Sequence, residues 1–288
     1  MNDHADPMAE DVGNIVALEH INVSIPDQTT GTLFYVVGLG LTRDPYMSVG
    51  LENMWMNAGE QQFHLPTRPS AQIIPGHIGL VVPSLDALEA RLQNVAPRLS
   101  DSLFAFSHES NYLAVTCPWG NHFQCYSPSP EFDNITLGVP YVEFAVPPGA
   151  AAKIARFYAE VLGSPTRIEE NDDGPVAIVS IGPRQHLMFR ESERPQSAYD
   201  GHHVAIYVAN FSRAYGLLCE RGLVSEEMAN HQFRFQNLVD PETGEAAFTL
   251  EHEVRSLRHP MFRRPLINRD PGQTQGPYLR GRDALLVG

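Results

Sequence analysis

The chain has 288 residues, 43% hydrophobic and 19% charged, with a formal net charge of −14 at pH 7. That composition belongs to a globular protein large enough for a sizeable core, and the negative balance would repel a phosphate backbone, which argues against a nucleic-acid partner. Cys117, Cys125 and Cys219 form no paired framework and no CxxC motif, as expected in a reducing cytoplasm; the acidic start does not read as a signal peptide, and no apolar run reaches membrane-spanning length.

The first element, "LEHINVSIP", alternates. Ile21, Val23 and Ile25 fall on one strand face, and His20, Asn22 and Ser24 on the other. A helix carrying Phe34-Tyr35 follows and closes at Gly40, and the strand "EQQFHLP" then sets His64 on the same face as Gln62. The pattern returns. "GHIGLVVP" opens on His77, and His20 and His77 each stand six residues before a proline. The helix "SLDALEARLQ" follows, and "GNHFQCYSP" ends the unit with Gln124 on the face of His122 and Tyr126. Residues 127–140, "SPSPEFDNITLGVP", are rich in turn formers and read as a linker.

A third copy, "PYVEFAVP", has Tyr141 in the histidine's place, and its helix "RFYAEVLG" matches "LFYVVGLG" of the first. Gly40 and Gly59 are as far apart as Gly163 and Gly182, so copies one and three align without gaps over that span. The fourth copy, "HHVAIYVA", opens on His203 and ends with "GEAAFTLEHE". Four strand–helix–strands units predict an α+β protein. The expected layout is an N-terminal tail at 1–14, a first pair of units over 15–128, a second pair over 139–254 and a tail at 255–288. The tail has too many prolines for a long helix and too many apolar residues for a free arm, so it is expected to wrap over its own domain or a partner subunit. Homo-oligomerisation is an open possibility.

The His-opening strands, the "FYxxxLG" helix exits and the "CPWGN" turn before a final strand together resemble the vicinal oxygen chelate superfamily, which includes glyoxalase I, fosfomycin-resistance proteins and type I extradiol dioxygenases. The resemblance covers residues 15 to about 253 and implies four βαβββ modules paired into two incomplete barrels, with a divalent metal in the cavity of a functional pair. Pairing of modules one with two and three with four is expected. The alternative, one with four and two with three, would bring His20 and His64 together with His203 and Phe248.

Carried over position by position, the resemblance places metal ligands at His20, His64, His77 and Gln124. The same positions in the second half are Tyr141, Leu187, His203 and Phe248, a poor set, leaving Glu143 and His203 beside Tyr141 as a small polar site in a second cavity that is expected to be metal-free; His252 could join them. Neutral imidazoles suit Fe(II), Zn, Mn, Ni or Co, with Fe(II) favoured. Three histidines and a glutamine add no negative charge, which favours polarising an anionic oxygen pair. The expected activity is therefore dioxygenase-like, on a small aromatic or oxygen-chelating substrate. A glyoxalase-like lyase or isomerase, or a metal-free sequestration protein, are the alternatives. No catalytic residue is assigned beyond the ligands.

Overall fold

In a computed structural model that describes residues 11–47, 52–171, 173–229, 231–269 and 284–285, the strand–helix–strands unit occurs four times. The first contains β1 (Ile15–Asn22), α1 (Gln28–Gly31) continued by a π-type segment (Thr32–Gly38), β2 (Thr42–Arg43), β3 (Asn53–Ala58) and β4 (Gln61–Pro66). The second contains β5 (Gly76–Val81), α2 (Leu85–Val95), β6 (Ala105–His108), β7 (Leu113–Thr116) and β8 (His122–Tyr126). The third contains β9 (Tyr141–Val146), α3 (Ala150–Phe157) with its own π-type segment (Tyr158–Leu162), β10 (Thr166–Asn171), β11 (Gly174–Gly182) and β12 (Gln185–Glu191). The fourth contains β13 (His203–Val208), α4 (Phe211–Glu220), β14 (Val224–Met228), β15 (Gln232–Val239) and β16 (Ala246–Ser256).

Two eight-stranded sheets result, in the orders β14-β15-β16-β13-β1-β4-β3-β2 and β10-β11-β12-β9-β5-β8-β7-β6. Neither closes on itself, so the α+β class and the βαβββ modules hold. The expected pairing does not. Module one shares its sheet with module four, and module two with module three. In each module the opening strand lies at the edge of its own four strands, and such an edge needs a partner for its N–H and C=O groups. All four modules present the same kind of edge, so the local pattern specifies the module without specifying which edge it meets.

Contacts gather residues 1–18, 145–196 and 205–262 into one compact unit and 19–144, 197–204 and 263–288 into another. The core of each grows from the aromatic pair that the sequence places on a helix. In the first, Phe157 lies 5.8 Å from Phe235 and Tyr158 lies 5.6 Å from Phe189. In the second, Phe34 and Tyr35 meet Phe123 and Phe63, all fully buried. Burial of each such ring stabilises by roughly 1.5–3 kcal/mol. Gly163, at φ 69°, ends the helical segment of module three in the left-handed conformation that suits glycine.

After the fourth module the chain returns to module one. Arg264 donates to both oxygens of Asp44 (3.3 and 2.8 Å), and Asn57 donates to the Ile267 carbonyl. The Asn268 amide exchanges two hydrogen bonds with the Gly59 backbone, and β17 (Asn268–Arg269) pairs with β18 (Ala284–Leu285). The described part of the tail thus wraps its own chain. Tyr278, Leu279, Leu286 and Val287, and residues 1–10 of the N-terminal tail, lie outside the described residues.

Candidate metal centre

The alternation of β1 sends Ile21 and Val23 into the aromatic layer under α1 and leaves His20 and Asn22 on the opposite face. Strand β4 runs parallel to β1 with His20 opposite Gln62 and Asn22 opposite His64. Strand β3 sets Trp55 opposite His64 and Asn57 opposite Gln62. Residues opposite one another share a face, so one polar surface carries His20, Asn22, Trp55, Asn57, Gln62 and His64.

His20 is 1% exposed. Its Nδ1 lies 2.9 Å from Oε2 of the buried Glu19, an acceptor that holds the ring proton on Nδ1. That leaves a lone pair on Nε2, which is buried and makes no hydrogen bond. An imidazole oriented by a carboxylate through one nitrogen, with the other pointing to no protein partner, is the usual arrangement of a metal ligand. The His203 ring centroid lies 5.7 Å from that of His20. Among the described residues His20 and His203, both buried, bring ligand nitrogens within 4.8 Å of each other, the makings of a cation site. Two neutral imidazoles suit a divalent first-row metal with open positions. The donor set and the unpartnered Nε2 therefore fit the metal that the fold implies.

This corrects the ligand set expected from sequence. His20 and His64 lie together, ring centroids 5.6 Å apart, but His77 and Gln124 sit on β5 and β8 of the other sheet. His203 was expected beside Tyr141 and Glu143; it lies beside His20 instead, because β13 belongs to the sheet of β1. His64 stacks on Trp55 at 3.9 Å and 12°, and its Nε2 lies 2.7 Å from Asn53 Oδ1. A nitrogen that donates a proton to Asn53 has no lone pair for a metal.

On the second sheet the equivalent polar residues have other partners. The phenols of Tyr126 and Tyr141 lie 2.6 and 2.8 Å from Gln124 Oε1 and 2.8 Å from each other. Burial and the neighbouring Tyr126 push the Tyr141 hydroxyl far above its ordinary pKa, so it stays a neutral phenol. His77 Nδ1 lies 3.8 Å from Glu143. His252 is a core residue: it stacks on Phe235 at 4.5 Å and meets the Tyr158 hydroxyl, and burial, against the pull of the Leu250 carbonyl, takes its pKa down to about 4.

Glu19 escaped the sequence reading. Phe248, carried over as a ligand position, instead packs 6.2 Å from Phe189. The β15–β16 ladder shifts register twice, so a count along β16 loses its parity.

No family model matches the chain, and no curated protein matches it in sequence. The fold is that of the vicinal oxygen chelate proteins. A candidate dioxygenase from Bacillus subtilis subsp. subtilis str. 168 is 14% identical, with 85% of this chain and 86% of that one covered and a TM-score of 0.56. Glyoxalase I from Zea mays is 13% identical, covering 82% and 91%, with a TM-score of 0.57.

Proposed function

We propose that the chain is a divalent-metal-dependent enzyme, dioxygenase-like, acting on a small aromatic or oxygen-chelating substrate, with His20 and His203 as metal ligands. The observation that carries this reading is the buried pair of His20 and His203, with His20 turned by Glu19 so that Nε2 is presented without a protein partner. Neutral imidazole ligands suit Fe(II), which this reading favours, as they do Zn, Mn, Ni or Co. When bound, a divalent ion supplies open positions and positive charge for a substrate's paired oxygens.

The chain's own residues do the rest. Glu19 holds the His20 proton at Nδ1. His64, braced by Trp55 and Asn53 and half-exposed, is the imidazole placed to take the proton that a substrate hydroxyl loses as it binds. The buried walls keep bulk water from the charges. The net charge of −14 supports a small-molecule partner over nucleic acid, and among the described residues no helix is long and apolar enough to cross a membrane. A cytoplasmic location remains part of the proposal, resting on the unpaired cysteines.

The test is metal analysis of protein purified without a histidine tag, followed by oxygen uptake with catechols. One equivalent of metal and oxygen consumption support the reading. Metal with disappearance of an aldehyde–thiol adduct, and no oxygen uptake, would move it to the lyase or isomerase class. Absence of metal would leave a binding protein.

A further inference from the structure

Trp55 is 5% exposed, and its indole nitrogen is buried without a hydrogen-bond partner. An indole N–H can only donate, and burying it unpaired costs about 1–3 kcal/mol. The residue is not loosely placed. Its ring stacks on His64 at 3.9 Å and meets the His20 ring edge-on at 5.0 Å. A donor without an acceptor therefore lies on the same face as the His20 Nε2, an acceptor without a donor.

We infer that Trp55 donates its indole N–H to an oxygen of the substrate, and so selects substrates that present a carbonyl, enolate or phenolate oxygen beside the metal position. This rests on the reading of His20 and His203 as ligands. Trp55 is a binding residue here, not one that moves a proton. Because the indole cannot accept, a protonated hydroxyl that must itself donate at this point gains nothing from it. The proton on His64 Nε2 is committed to Asn53, so the neighbouring imidazole does not duplicate the donor through that nitrogen.

The chain contains two tryptophans, Trp55 and Trp119. Trp119 approaches Gly31 and Met54, on the opposite face of β3 from Trp55, and serves as an internal reference. The experiment uses full-length, 15N-labelled protein loaded with diamagnetic Zn(II) and titrated with catechol. Trp55→Phe and Trp119→Phe assign the two indole signals. The expected result is a downfield move of the Trp55 indole proton on catechol binding, with Trp119 unmoved. Trp55→Phe should keep zinc affinity and lose roughly 10- to 100-fold in catechol affinity. Catechol binding with a static Trp55 signal and unchanged affinity in Trp55→Phe would overturn the inference alone, and zinc uptake without catechol binding would overturn the ligand class it names. Failure of the wild type to bind zinc would overturn the metal reading and this inference with it.

Discussion

The polar faces of β1–β4–β3 and of β5–β8–β7 are built by modules one and two on the same plan, and they end in different chemistry. Each opening strand runs parallel to the last strand of its module, with Asn22 opposite His64 in one and Gly79 opposite Gln124 in the other. At Gly79 a side chain is missing, and the Tyr141 ring fills the place: a Cβ there would lie 2.4 Å from it. Tyr141 and Tyr126 then take up both lone pairs of the Gln124 oxygen. On the first face Asn22 stands at the corresponding position and donates to Gln72, while His20 Nε2 and the Trp55 N–H keep their hydrogen-bonding capacity unspent. One face is satisfied from within, and the other has capacity left for a ligand. A module repeat therefore fixes where functional groups can stand, while a few positions such as 79 and 141 decide whether they are used.

The comparison breaks most visibly at the ligands. His20→Ala and His203→Ala are each expected to strip the metal and abolish turnover, while His77→Ala and Gln124→Ala retain both; metal content and activity of the four variants check this. An open catalytic site in a preformed sheet is not expected to carry the folding energy of a closed structural one, so all should remain folded.

The strap over the first face comes next. Asp44 is fully buried, and burial alone would raise its pKa, but the Arg264 hydrogen bonds and the Tyr46 and Met47 amides outweigh burial and hold it below the ordinary 3.8. A carboxylate lowered in the folded state contributes its stability above the unfolded pKa and loses it as pH falls through the folded value. Asp44→Asn should therefore destabilise by about 3 kcal/mol at pH 7, and the gap from wild type should narrow below about pH 4. Urea unfolding at the two pH values measures it.

On the second face, Gly79→Ala should cost about 1–3 kcal/mol through the clash with Tyr141 and leave metal binding unchanged. A thermal melt paired with metal analysis reads both. The smallest effect concerns the partner of His20: Glu19→Gln should keep the fold and weaken metal binding about 10- to 100-fold, by loosening the hold on the Nδ1 proton. A chelator competition titration gives the ratio.

The repeats, the α+β class, the aromatic helix faces and the inward direction of His20 and His64 were legible in sequence because they follow from period-two alternation and short local motifs. The partner of each module was not, since four similar opening strands carry no mark of which edge they will meet. His203 was read as a ligand-type residue and assigned to the wrong face for that reason alone. Phe248 was misassigned differently, because the register shifts in β15–β16 break a position-by-position count along the strand. Glu19 was hidden because it sits on the strand beside the ligand it orients, where alternation predicts the opposite face.

The most direct test of the account is the metal stoichiometry of His203→Ala set beside that of His77→Ala, by elemental analysis of untagged protein. The account predicts about one equivalent in wild type, loss in His203→Ala and retention in His77→Ala. Retention in His203→Ala with loss in His77→Ala would restore the ligand set of neighbouring modules and contradict it.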